Sequence, residues 1–187
     1  MDDIQFRTAL RLRLGVAVFT QSTPCPLCPS GTLDVFGDHA LACFGDRDSN
    51  CRHNAVRDAL FDAGAFAHLS PKCEVPGSLF NGSKRKPADV LFPYNNRLLA
   101  IDVTISNNLK FSEALNRDFD PSEPLAFDDN RKDEFNLELC RQAHIDFQPF
   151  SVGNLGGFGV QASKLIDWLA EKSYLVHPSY STASYSC

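Results

Sequence analysis

The sequence predicts an α/β protein in which a mixed sheet is flanked by helices and preceded by a small metal-binding module. Three observations lead to this prediction. The apolar residues repeat with a helical period in 51–67, and the period then changes to that of short strands. The order of elements from residue 51 is then α-β-β-β-α-β-α. Before this region, cysteine and histidine residues stand at the spacing of a zinc module.

The individual elements follow from these periods and from the turn residues between them. Helices are predicted where apolar residues recur three or four apart, at residues 5–19, 51–67, 126–143 and 160–172. Strands are predicted at the short β-type runs, at residues 72–75, 86–92, 97–105 and 145–152. Asn81-Gly82 and Asn95-Asn96 tolerate left-handed turn conformations, so we expect two hairpins in succession.

Composition divides the chain into three parts. Residues 1–50 hold the first helix and a Pro-, Gly- and Asp-rich stretch that is predicted to be the metal module. Residues 51–175 form the α/β core, and residues 176–187 are predicted to be a disordered tail.

The totals are those of a globular protein, with 43% hydrophobic and 22% charged residues among 187. No apolar run is long enough to span a membrane, and the N-terminus lacks the pattern of a signal peptide, which predicts an intracellular protein with reduced cysteines. The net charge of −5 argues against a nucleic-acid partner at first sight. Residues 111–140 alone carry nine acidic and three basic residues, however, and the rest of the chain is close to neutral.

A structural zinc site is predicted from one cluster of ligand residues. Cys25 and Cys28 form a knuckle, and His39 and Cys43, four residues apart, would lie on one face of a helical turn. Four protein ligands fill a tetrahedral site, which makes it structural rather than catalytic. Cys51 and His53 lie close by and could replace one ligand. Cys43 is preferred over Cys51 for its spacing from His39, and His53 is expected instead to pack or to face DNA. Cys51 and the remaining thiols, Cys73, Cys140 and Cys187, are interpreted as small buried or incidental residues.

A second cluster is predicted from two aspartates in apolar strands, Asp89 and Asp102. A turn centred on Asn95-Asn96 brings these residues opposite each other on antiparallel strands, with Cβ atoms about 4.5–5.5 Å apart. Two carboxylates at that distance do not both ionise readily without a cation between them. A hard ion such as Mg²⁺ or Mn²⁺ is therefore expected at this point, where it would assist cleavage of a phosphate ester.

The same site needs a lysine to orient a water and to stabilise the phosphate. Thr104 stands two residues after Asp102, where a lysine would complete the site, and Lys132 on the following helix is the predicted replacement. Arg131 and Lys110 are the alternatives. Glu74 on the preceding strand is a candidate third carboxylate, and it could equally be an exposed strand residue.

These residues resemble a known family. Pro87-Ala88-Asp89, Asp102 and the order of elements resemble the PD-(D/E)XK, or restriction-endonuclease-like, superfamily. The zinc cluster followed by Arg52-His53-Asn54 resembles the restriction-like endonuclease domain of non-LTR retrotransposons, in which a CCHC zinc module precedes the nuclease core and the lysine is displaced to the next helix. The resemblance extends over roughly residues 7–170.

The resemblance implies a metal-dependent DNA endonuclease that nicks its target by phosphodiester hydrolysis and works in the nucleus, with DNA as its partner. It leaves open whether the protein acts as a homodimer. Residues Arg52 and His53, with the basic run Lys84, Arg85 and Lys86, are the predicted DNA contacts. The alternatives are a catalytically inactive, zinc-stabilised nucleic-acid-binding module and a protein-interaction domain that uses the acidic segment 113–129.

Overall fold

The computed structural model describes residues 2–43, 45, 48–73, 88–107 and 122–177. These residues form five helices and six strands. The helices are α1 (Asp3–Arg13), α2 (Asp38–Ala42), α3 (Asp48–Phe66), α4 (Glu123–Gln142) and α5 (Val160–Val176). The strands are β1 (Thr23–Pro24), β2 (Thr32–Leu33), β3 (Lys72–Cys73), β4 (Val90–Tyr94), β5 (Arg97–Ser106) and β6 (Asp146–Gly153).

The strands form two sheets. A short antiparallel pair, β1–β2, belongs to the N-terminal module, and a larger sheet has the order β3-β4-β5-β6. Its first two pairs are antiparallel, whereas β5 and β6 are parallel and are connected through α4. The predicted mixed sheet flanked by helices is confirmed.

The hairpin β4–β5 has the register expected from its turn. Val90 lies opposite Ile101 and Tyr94 lies opposite Arg97, with Asn95 and Asn96 as a two-residue turn. Both asparagines have positive φ, 46° and 62°, as a type I′ turn requires. This two-residue turn fixes the register of the two strands.

Apolar side chains cover both faces of the larger sheet. On one face, Val90, Phe92, Ile101 and other strand residues pack against α3 and α5. On the other face, Ala88, Leu91 and Ala100 form a smaller cluster with Cys140 of α4. Because side chains alternate along β5, Asp102 shares the α4 face with Ala100. The polar residues of the candidate site therefore lie under α4.

The first helix is shorter than predicted, since α1 ends at Arg13 instead of residue 19. Gly15 has a φ of 61°, a left-handed conformation that ends helices. None of the side chains of α1 is buried, and Ile4 is 77% exposed. Among the described residues, no helix is both long and apolar enough to cross a membrane.

Candidate metal and carboxylate sites

The four predicted zinc ligands come together in the N-terminal module. The ligand atoms of Cys25, Cys28, His39 and Cys43 all lie within 4.8 Å of one another. Sγ of Cys28 is 3.3 Å from Nε2 of His39, and Sγ of Cys25 is 3.8 Å from Sγ of Cys43. Three sulfurs and one imidazole nitrogen are a donor set typical of a structural zinc site. The cluster could therefore hold a metal ion such as zinc.

The local fold of the module brings these ligands together. Two ligands lie between the paired strands β1 and β2, and the other two lie at the start of α2 and just after its end. Asp34 accepts hydrogen bonds from the backbone N–H groups of Asp38 and His39 and so fixes the first turn of α2. At Gly31, a Cβ atom would overlap the His39 ring, and only glycine leaves room for this ligand.

The thiols of the cluster have unequal acidities. The backbone N–H of Leu27 donates to Sγ of Cys25 and lowers the pKa of that thiol to about 6. Burial raises the pKa of Cys28, and the neighbouring thiols contribute to the rise. Because a metal binds the thiolate form, filling the site would release protons.

Asp89 lies on the bend before β4 and is held from two sides. Its N–H donates to the carbonyl oxygen of Ile101 at 2.8 Å, and its Oδ2 accepts from the N–H of Val103 at 2.8 Å. The same Oδ2 lies 3.1 Å from Nε2 of His53 on α3. Burial alone would raise the pKa of Asp89, but the hydrogen bonds from His53 and Val103 hold it below its usual range.

Asp102 is buried under α4, where two side chains bind its carboxylate. Nζ of Lys132 donates to Oδ1 and Oδ2 at 2.9 and 2.8 Å, and Nδ2 of Asn136 donates to Oδ2 at 2.7 Å. Burial raises the pKa of Asp102 to about 6, although Lys132 acts in the opposite direction. The negative charge of the nearby Asp89 adds to this rise. The two carboxylates thus differ in acidity because their surroundings differ.

Lys132, the predicted replacement for the missing lysine, lies within hydrogen-bond distance of Asp102. Lys132 reaches Asp102 from α4, and Thr104 lies two residues further along β5. Sequence reasoning missed Asn136, which stands four residues after Lys132 and therefore on the same face of α4. That spacing of two polar residues was the available signal. Sequence reasoning also missed the contact between His53 and Asp89, for which the sequence offers no local signal.

Of the predicted DNA contacts, the structure describes only Arg52 and His53, and both bind groups of the protein. Arg52 directs its guanidinium to the module, with Nη1 2.6 Å from the carbonyl oxygen of Leu41 and Nη2 3.4 Å from that of Cys43. His53 lies at Asp89, as described above. Glu74, Lys84, Arg85 and Lys86 lie outside the described residues, as do most of the acidic segment and the tail.

A cavity of about 550 Å³ lies on the opposite face of the sheet, between α3 and α5. Its lining is almost entirely apolar and includes Val56, Leu60 and Ile166. It belongs to the packing of α3 on α5 and contains neither of the two aspartates.

Comparison with known proteins gives no match to a family model, to a curated protein or to a solved structure.

Proposed function

We propose that the protein is a metal-dependent DNA endonuclease with a restriction-endonuclease-like core and a structural zinc module. The observation that carries this proposal is the neighbouring pair Asp89 and Asp102. Asp89 is bonded to the backbone of the residues on either side of Asp102, and the ammonium group of Lys132 is bound to Asp102. Two neighbouring carboxylates, with a lysine that reaches them from the helix above the sheet, are the groups that phosphodiester hydrolysis with a divalent ion requires. The order of the elements from α3 onward supports the same core.

In this proposal Asp89 and Asp102 hold Mg²⁺ or Mn²⁺. The bound ion would lower the pKa of a water molecule and neutralise charge on the scissile phosphate. Lys132 orients that water and stabilises the extra negative charge that develops on the phosphate. Glu74 is proposed as a third carboxylate, and Lys84, Arg85 and Lys86 as phosphate contacts of the DNA backbone. A DNA substrate implies a nuclear location.

The test is nicking of a supercoiled plasmid in Mg²⁺ or Mn²⁺. Asp89→Asn and Asp102→Asn should each abolish nicking while they retain the shape of the side chain. Asp146→Asn is the matched control, since Asp146 pairs with Arg97 at the other end of β5 and is partly exposed. Nicking by Asp102→Asn at the rate of the unaltered protein would defeat the proposal.

A second candidate is a zinc-stabilised nucleic-acid-binding module without catalysis. One observation favours it: Lys132 and Asn136 donate to the oxygens of Asp102, and His53 binds Asp89, so protein groups occupy carboxylate oxygens that the endonuclease would use for its ion. Such a protein would bind DNA and show no Mn²⁺-dependent nicking. Calorimetric titration with Mn²⁺ separates the two candidates, because the endonuclease should bind the ion and lose that binding in Asp102→Asn.

A further inference from the structure

Two consecutive residues of α3 connect the zinc module to the carboxylate site. The guanidinium of Arg52 donates to the backbone carbonyls of Leu41 and Cys43, at 2.6 and 3.4 Å. The imidazole of His53, the next residue, binds Asp89 at 3.1 Å. Cys43 is itself one of the four metal ligands. A path of direct contacts therefore leads from the metal cluster through α3 to the first aspartate.

We propose that Arg52 is a positioning residue that couples metal binding in the N-terminal module to the placement of His53 against Asp89. The effect on cleavage rests on the proposed endonuclease function, whereas the structural coupling does not. This role differs from the DNA contact that the sequence predicts for Arg52.

The carbonyl groups at the end of α2 explain how metal binding in the module would act on Arg52. Helix α2 has five residues, Asp38–Ala42, and is too short to be stable alone. The oxygens of Leu41 and Cys43 belong to the end of this helix, where carbonyls have no partner within the helix. The guanidinium group of Arg52 supplies hydrogen-bond donors for these two carbonyl oxygens. Since Cys43 is one of the four ligands, metal binding would order this segment and with it the carbonyl acceptors of Arg52.

The location of Arg52 also favours a structural role. It lines a cavity of about 40 Å³ with Leu41 and Ala42 of α2 and with Ser106 at the end of β5. Its two hydrogen bonds are partly buried, and in both the guanidinium donates to a backbone carbonyl oxygen, so Nη1 and Nη2 are directed to the protein instead of to DNA phosphates. The module, α3 and the central strand meet at this residue. In this proposal, a change in the order of α2 reaches His53, the next residue of α3, through Arg52.

The experiment uses the full chain loaded with zinc, with Arg52→Ala and Arg52→Lys as variants. Arg141→Ala is the control, because Arg141 is exposed on α4 and pairs only weakly with Glu138. Zinc content is measured first, followed by amide exchange in α3 and by the imidazole NMR resonances. Because the chain has five histidines, the His53 signal is identified as the one that is missing in His53→Asn.

For Arg52→Ala we expect bound zinc, amide exchange in the first half of α3 at least about tenfold faster, and a shifted His53 resonance. Arg52→Lys should restore part of this protection because it keeps one charged donor. Chelating zinc from the unaltered protein should produce the same changes. Nicking should fall in kcat with little change in KM.

Two outcomes would overturn the proposal. The first is zinc removal from the unaltered protein without any change in α3 exchange or in the His53 resonance, a result that needs no variant to fold. The second is an Arg52→Ala protein in which α3 exchange and the His53 resonance are unchanged but DNA binding is weaker. The slope of log affinity against log salt concentration would then fall by about the value of one phosphate contact. That second result would make Arg52 a DNA contact. Absence of nicking in every sample would count against the endonuclease proposal and leave the coupling measurements intact.

Discussion

Lys132 donates hydrogen bonds from Nζ to both carboxylate oxygens of Asp102, at 2.9 and 2.8 Å. The pair joins α4 to the middle strand β5 beneath the helix, with the lysine side chain 25% exposed. In the absence of a divalent ion, the ammonium group partly neutralises the buried carboxylate. Under the proposed function, Lys132 would compete with a metal ion for these oxygens and would also assist the cleavage that the ion makes possible.

Replacing Lys132 separates these two effects. We expect Lys132→Met to bind Mn²⁺ more tightly, because the competing positive charge is gone, and to nick DNA about 100-fold more slowly. Calorimetry and plasmid nicking measure the two quantities. Lys164→Met on the exposed side of α5 is the control. A variant with weaker Mn²⁺ binding and normal nicking would contradict both expectations.

Asn136 is expected to stabilise the fold through Asp102. Asn136→Ala removes a 2.7 Å donor to a buried carboxylate and should lower the free energy of unfolding by about 1–3 kcal/mol. Urea denaturation measures this change. Gln142→Ala, which removes an exposed hydrogen bond on the same helix, should stay within about 0.5 kcal/mol. Equal stability of the two variants would show that Asp102 needs no partner from Asn136.

His53 should make stability depend on pH. The hydrogen bond to Asp89 raises the pKa of His53 above its ordinary value, while burial acts in the opposite direction. The stability that this pair supplies is present below the unfolded pKa of about 6.5 and is lost as the pH rises through the folded pKa. His53→Asn should therefore destabilise the protein more at about pH 5.5 than at about pH 9, by less than about 1 kcal/mol because the pair is partly exposed.

The matching double variant tests the assignment to this pair. In an Asp89→Asn background, the pH-dependent part of the His53→Asn effect should vanish, since the partner carboxylate is gone. Guanidinium denaturation at the two pH values provides the comparison. A pH dependence that survives in this background would assign the effect to another group.

The metal cluster should bind about one zinc per chain, and the module should lose its structure without it. Cys25→Ser and Cys28→Ser should lose most of the bound zinc and lower the melting temperature. Cys51→Ser is the control, since Cys51 is exposed and lies outside the cluster. Metal analysis and thermal unfolding provide the measurements. Full zinc content in Cys25→Ser would defeat the ligand assignment.

Gly64 on α3 should tolerate no side chain. A Cβ at this position would overlap the ring of Phe92, one of the most buried side chains of the sheet, so Gly64→Ala should cost about 1–3 kcal/mol. Gly157→Ala is the matched control, because its Cβ would meet only Cδ1 of Leu125, at 3.8 Å. Chemical denaturation of both variants measures the difference, and a neutral Gly64→Ala would mean that α3 lies further from the sheet.

The order of the elements and the hairpin register were predictable from the sequence because both depend on neighbouring residues. The apolar period separates helix from strand, and Asn95-Asn96 favours a tight turn, which pairs Val90 with Ile101 and so brings Asp89 near Asp102. The four ligands at the zinc cluster were predictable for a similar reason, since the spacing of cysteine and histidine is a local property. The end of α1 was predicted less well because Gly15 stops a helix that the apolar period alone would continue.

By itself, the sequence determined the alternation of helices and strands, the pairing of β4 with β5 and the composition of the metal cluster. Only the tertiary structure decided which side chains complete the carboxylate site and what Arg52 contacts. Asn136 reaches Asp102 from α4, and His53 reaches Asp89 from α3, across 34 and 36 residues. Such contacts depend on how each helix lies against the sheet, which is set by packing over the whole core. Local sequence patterns do not contain that information.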